Sequence, residues 1–459
     1  MTAPDHLKVT GPEDILGFIP HSLGYWPANS LVAMTMQGKR LGATLRVDLP
    51  GPSRCRGPGL TAFARNVRDY LEADDDADGT LLAIFSGPCG NDRADGAAGD
   101  GGGGPGSPAL ARLLRELERV LGAAALPVRD AWLIGERFWR NAYCTDASCC
   151  PPAGRPIEEI RNSRLNAELV FRGSSVGAAP GASAAAADRS EPAVLEAEER
   201  WVREFSGRWR DRAQFGAVLD VWARVLLAAG CPADGGPARR SAPRKSALPG
   251  PGTTAVHGPG PTTLPPGLAG YLRATLRVAA WRDAVLVMAA AGRGAAEAGA
   301  EEFCIFEGGP GRPAPLPGLD GFPAAQPVTG PAAADSTAAG GMAGGAGTAA
   351  RTPGYGDVLL GVEPAVPDWA WLGALDRVLV RLGDCGGGEA RAASLTARGW
   401  IEWCRGRGSF ADALFTSAAV EQPGYRLAEL LAELVRRGTL CGWARRRDAA
   451  WQKFDPDAA

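Results

Sequence analysis

With 63 glycines and 37 prolines among its 459 residues, much of the chain cannot pack a core, and the foldable part is nearer about 300 residues. A formal net charge of −2 gives no electrostatic footprint for nucleic acid. The N-terminal residues lack a basic stretch followed by an apolar run, and no run approaches a membrane span, so a cytoplasmic chain with no membrane partner is expected. Ten cysteines in such a compartment are expected to stay reduced rather than form a disulfide framework.

In chain order, Asp14 to Phe18 reads as one or two helical turns, with Pro12 near the start and Pro20 as the stop. Leu31 to Met36 and Leu41 to Leu49 read as a hairpin around Gln37-Gly38-Lys39. Leu60 to Leu71 places Leu60, Phe63, Ala64, Val67, Tyr70 and Leu71 on one helical face. Thr80 to Ser86 is a continuous apolar run, as expected of a strand covered on both faces. A Gly-rich insertion, 86–107, precedes a helix at Pro108 to Leu121 and strands at Val128 to Ile134 and Trp139 to Cys144. Helices between buried strands imply parallel crossovers. The fold class expected is therefore α/β: a layered, mixed-sheet N-terminal domain over residues 8–172, followed by an all-helical C-terminal region with Ala/Gly/Pro linkers.

A single helix is expected at Ile157 to Phe171. Disordered linkers are expected at 173–193, 231–266 and 291–356. Between them lie a helical segment at 194–230, broken near Ser206-Gly207, and a helix at 267–290. Residues 357–443 complete the helical region. There, Leu395, Gly399, Ala411, Phe415, Ala418 and Pro423 follow the spacing of one tetratricopeptide-like hairpin. Such a helix pair offers a surface for a protein partner.

Cys144, Cys149 and Cys150, in C-x₄-C-C-P-P, are the residues of most chemical interest. Three readings are open. The thiols could pack as small apolar groups beside a turn fixed by Pro151-Pro152, or Cys144 could form a reversible disulfide with Cys149 or Cys150. Alternatively, the three could ligate a metal, with His21 as the fourth ligand that zinc wants. His21 as a general base lacks an accompanying nucleophile motif. Asp74, Asp76, Asp78 and Gly79 match only half of a calcium loop, because Phe85 stands where the bidentate Glu belongs. Gly101, Gly103 and Gly106 match a dinucleotide fingerprint without its strand-turn-helix context, so no cofactor-binding site is expected. No catalytic constellation is complete, which favours an interaction or regulatory protein over an enzyme.

Several segments resemble an actinobacterial family of unknown function, the domain-of-unknown-function family numbered 4192. They are GPEDILGFIPHSLGYWPANSLVAM at 11–34, LRVDLP at 45–50, WRNAYCTDASCCPP at 139–152, SRLNAELVFRG at 163–173, LRVAAWRDAVL at 276–286, and the helices from Ala392 to Gly438. The resemblance implies a shared fold module and no activity.

Overall fold

The structure is a computed structural model, which describes residues 9–50, 57–86, 108–151, 153–180, 190–230, 264–307, 312–323 and 352–451. The Gly-rich insertion, with Gly101, Gly103 and Gly106, lies outside the described residues, as do the central parts of the three expected linkers. The chain divides into two units, one ending at Ala182 and one running from Ser183 to Trp451.

The first unit is α/β. Its elements are α1 (Pro12–Leu23), β1 (Ser30–Gln37), β2 (Arg40–Asp48), α2 (Pro58–Leu71), β3 (Gly79–Phe85), α3 (Pro108–Ala123), β4 (Val128–Ile134), β5 (Phe138–Asn141), β6 (Arg155–Pro156), α4 (Glu158–Arg161) and α5 (Arg164–Phe171). The six strands lie in the order β2-β1-β3-β4-β5-β6. Only β3 and β4 pair in parallel; β1 pairs antiparallel with both β2 and β3. Since β2 and β3 both oppose β1, they run parallel to each other across it. Each of α2 and α3 thus joins two parallel strands, as the sequence implies, but the hairpin strand β1 is inserted between the first pair. Both crossovers step the same way along the sheet, so a common handedness puts both helices on one face.

Alternation along the strands builds the layers. Leu31, Ala33, Leu82 and Ile84 face α2 and α3, meeting Leu60, Ala64, Val67, Leu113, Leu117 and Leu121. Val32, Met34, Leu81, Ala83, Trp132 and Trp139 face the other way, onto Leu16 and Ile19 of α1 and Ile160 of α4. All seven residues of β3 are buried, which its unbroken apolar run demands.

Three local expectations change. Helix α1 continues through Pro20 to Leu23. The proline costs one helical hydrogen bond, which complete burial of Leu16, Ile19 and His21 on either side offsets. The single helix expected at 157–171 is two, because Ser163 leaves helical geometry and caps α5, its Oγ accepting from the Asn166 amide at 3.2 Å. The first residues after Gly173, placed in a linker by the sequence, pack on this unit: Gly177 bridges Tyr25, and Ser174 is buried.

Every regular element among the described residues of the second unit is a helix: α6 (Pro192–Phe205), α7 (Arg212–Gly230), α8 (Pro266–Leu276), α9 (Ala279–Ala291), α10 (Arg293–Glu302), α11 (Tyr355–Leu359), α12 (Trp369–Asp384), α13 (Glu389–Cys404), α14 (Gly408–Glu421), α15 (Arg426–Arg436) and α16 (Gly442–Arg445). The helix expected at 267–290 breaks at Arg277-Val278 into α8 and α9. Helix α10 and the packed residues Ala314, Leu319 and Phe322 lie where a linker was expected. Helix α7, at 19 residues, is long and apolar enough to cross a membrane by length and composition, a test that the buried core helix of a globular unit also passes. Its Phe215, Val218, Leu219, Trp222, Val225 and Leu226 fill the core of this unit. Gly399 of α13 faces the Phe415 ring of α14 so closely that a Cβ there would stand 2.4 Å from a ring carbon.

Arg273 of α8 is fully buried. Its Nε donates to Glu198 Oε2 at 2.6 Å, its Nη1 to the Leu382 and Gly386 carbonyls at 2.6 and 3.0 Å, and its Nη2 to the Gly387 carbonyl at 2.8 Å. One planar fork thereby joins α6, α8 and the α12–α13 turn. Arg273→Met should cost about 3–5 kcal/mol, because it leaves the buried Glu198 carboxylate with only Arg277 at 3.5 Å and takes a donor from three carbonyls. Arg273→Lys should recover only a fraction, since one ammonium cannot reproduce the fork. Urea unfolding followed by tryptophan fluorescence measures both, and a lysine variant as stable as the parent would contradict this account.

Candidate functional site: a three-thiol loop

The sheet fixes both ends of the cysteine loop. Strand β5 pairs antiparallel with β4 before the loop and with β6 after it, where Trp139 opposes Arg155. The Asn141 side chain turns the chain out of β5. Its Nδ2 donates to Asp130 Oδ1 at 2.6 Å, and its Oδ1 accepts from the amides of Tyr143 and Cys144 at 2.8 and 3.1 Å. Asp146 organises the next turn: Oδ1 accepts from the Ser148 amide and hydroxyl, and its carbonyl accepts from the Cys150 amide at 2.7 Å.

These turns bring the three sulfurs together. Cys144, Cys149 and Cys150 Sγ all lie within 4.8 Å of one another. With metal–sulfur bonds of about 2.3 Å, three sulfurs on one ion stand roughly 4 Å apart, so the spacing fits a shared ion. Access is graded: Cys150 is buried, Cys144 is half-buried and Cys149 is exposed.

The electrostatics are uneven. Burial pushes the Cys150 thiol up, but the Asn141 backbone amide, hydrogen bonds from Cys144 and Cys149, and the Arg140 guanidinium outweigh it and hold the thiol below its ordinary range. Cys149 is pushed up, first by its hydrogen bonds to Cys144 and Cys150 and then by the proximity of their charge. The cluster thus has a thiolate-favouring inner member and a thiol-favouring outer one. Asp146 is held below the usual carboxylate range by the Ser148 hydroxyl and amide.

His21 does not join the thiols. Its Nδ1 lies 2.9 Å from Ser174 Oγ and its Nε2 2.7 Å from Asn166 Oδ1. Asn166 Nδ2 donates to the Arg161 carbonyl at 2.6 Å, which turns Oδ1 toward the ring. Nε2 therefore carries the proton, and the Ser174 hydroxyl donates to Nδ1. Both ring nitrogens are engaged in a buried clamp, so the fourth ligand expected of His21 is not supplied. Ser174, Asn166 and Asn141 were missed from the sequence. Only Asn141 left a local signal, as an Asn at the end of an apolar strand.

Other motif residues have structural work. Asp74 accepts from the Thr35 hydroxyl, from Gln37 Nε2 at 2.7 Å and from the Ala43 amide at 3.2 Å, and Asp78 Oδ2 accepts from the Gly38 amide at 2.9 Å. The half calcium motif therefore ties the α2–β3 turn to the β1–β2 hairpin. Asp14 similarly joins two helices: Oδ2 accepts from the Thr10 amide and hydroxyl, and Oδ1 accepts from the Leu165 amide at 3.1 Å. At this crossing of α1 and α5, a Cβ on Gly17 would stand 2.6 Å from Ser163 Oγ. The segments at 11–34 and 163–173, far apart in sequence, are thus partners in space.

The molecule combines a mixed-sheet α/β unit bearing a surface thiol loop with a helical unit. A family model described as a domain of unknown function (DUF4192) matches residues 12–303, a stretch from α1 to just past α10. The chain belongs to the DUF4192 family. No curated protein and no solved structure matches it.

Burial raises the Asp14 carboxyl, but the hydrogen bonds from Thr10, Leu165 and Gly11 outweigh it and leave it below the ordinary 3.8. A depressed folded-state value stabilises the fold above the unfolded value and loses that stabilisation as pH falls through the folded one. Asp14→Asn should therefore lower the melting temperature at neutral pH, and the gap to the parent should close as pH drops below about 4. A gap constant from pH 7 to pH 3 in thermal melts would rule the mechanism out.

Proposed function

We propose that the protein is a non-enzymatic, metal-responsive interaction protein whose α/β unit holds one soft metal ion at Cys144, Cys149 and Cys150. The observation that carries this reading is the convergence of the three sulfurs within 4.8 Å on a loop pinned at both ends. A packing role accounts for buried Cys150 but not for exposed Cys149. A disulfide would use two of the thiols and leave the third unexplained, whereas an ion uses all three. The interaction half of the reading rests on the absence of a complete catalytic motif in the sequence and on the closely packed α13–α14 hairpin, where Gly399 lies under the Phe415 ring.

The test is metal content and free-thiol count on protein purified without oxygen, before and after incubation with zinc(II) and with copper(I). One ion per chain is expected, and it should be lost in Cys149→Ala, with little change in the melting temperature of the metal-free protein, since Cys149 is exposed. Absence of metal with all ten thiols free on unfolding would reduce the loop to structure. Two thiols hidden until a reductant is added would make it a disulfide switch instead.

A further inference from the structure

We infer that the three-thiol loop selects a soft monovalent ion, copper(I), over zinc(II). The inference rests on the metal reading above and concerns which ion the same sulfurs hold.

The donor set decides the choice. Among the described residues, the group contains three thiols and neither imidazole nor carboxylate. No imidazole nitrogen or carboxylate oxygen of the described residues groups with the three sulfurs, and the two residues that could be asked for one have other work. His21 is engaged at both nitrogens by Ser174 and Asn166. Asp146 gives Oδ1 to Ser148 and its carbonyl to the Cys150 amide. Zinc(II) takes four ligands in structural sites and reaches four in catalytic ones with water or substrate. Here it would sit with one position open to solvent. Copper(I) is a closed-shell ion that three thiolates satisfy in a trigonal plane, and soft sulfur ligands are the donors that select it. Nothing more is required of the protein than three sulfurs around one point.

The surroundings support a closed trigonal site. Arg140 Nη2 donates to the Cys144 carbonyl at 3.5 Å, which brings a positive charge to the loop that carries the sulfurs. Such outer contacts orient a ligand and offset the negative charge of a thiolate set. Cys149, exposed at the rim, is the sulfur that an incoming copper carrier reaches first, and Cys150, buried, is the last to close. The binding step balances without an oxidant. Three S–H bonds break, three Cu–S bonds form, three protons pass to solvent, and copper stays monovalent throughout.

The experiment uses the full-length, reduced protein under argon. Copper(I) is titrated against bicinchoninate, and zinc(II) separately against a chromophoric zinc chelator. Protein loaded with zinc(II) is then given one equivalent of copper(I). The expected result is release of all bound zinc, with copper-edge X-ray absorption showing three sulfur neighbours and no nitrogen or oxygen. Cys144→Ala and Cys149→Ala should each abolish competition with bicinchoninate; circular dichroism confirms that these variants fold. Zinc retained against copper(I), or a nitrogen or oxygen neighbour on copper, overturns the selectivity. Binding of neither ion overturns the metal reading itself, so the two failures are distinct.

Discussion

Everything proposed for the thiol loop depends on strand β5 being paired on both edges. A loop of this length attached at one end would sample many arrangements, and adjacent cysteines would converge with a third only rarely. Pairing with β4 fixes where the chain leaves the sheet, and the short pairing with β6 fixes where it returns. The return is strengthened by Arg155, which lies 4.7 Å over the buried Trp139 ring and reaches Glu159 at 2.6 Å. The intervening residues then have little freedom left. The Asn141 and Asp146 turns absorb it with hydrogen bonds to backbone amides, so the positions of the sulfurs follow from the main chain.

The two units use one device for long-range order. In each, a buried polar side chain reaches backbone groups of a distant element. Asp14 takes the Leu165 amide at the start of α5, and Arg273 takes three carbonyls at the α12–α13 turn. Helix ends present unsatisfied amides and carbonyls, and a buried charge needs partners, so each solves the other's problem. Apolar contacts alone would hold these helices together in many registers. A directional donor set specifies one.

Much of the first unit was legible because its signals are local. The period-2 strands, the apolar run of β3 and the leucine stripe of α3 each announce themselves within a dozen residues. The cysteine loop was legible for the same reason, with three thiols inside seven positions. What escaped was long-range or carried by small residues. Ser174 meets His21 across 153 positions and sits in a stretch whose composition reads as linker. Helix α10 lacks a leucine stripe; it packs through Ala295, Ala296, Gly299 and Ala300, with the Tyr355 hydroxyl donating to the Ala296 carbonyl at 2.7 Å. Alanine is the best helix former and yet the commonest residue of low-complexity tracts, so composition alone cannot separate the two. The order of β1 between β2 and β3 was hidden because pairing partners leave no mark on strand periodicity.

The second unit contains a useful contrast to the thiol loop. Cys404 at the end of α13 and Cys441 before α16 are also hydrogen-bonded neighbours, and both are completely buried. Burial drives the Cys404 thiol well up, while the bond from Cys404 and the Trp443 and Ala444 amides hold Cys441 down. The chain from Leu360 to Pro364 closes over them, its carbonyls taking the Gly442 amide at 3.0 Å and Trp443 Nε1 at 2.8 Å. An ion, an oxidant or a second thiol would have to unseat that segment first. Two sulfurs in contact are therefore a core feature when no path leads to them. The loop at Cys144 to Cys150 differs by one more sulfur and by the exposure of Cys149 at its rim. Exchange chemistry at sulfur is limited by access as much as by thiolate content. On that ground, of these two sulfur clusters, the surface loop is the one open to exchange with solvent.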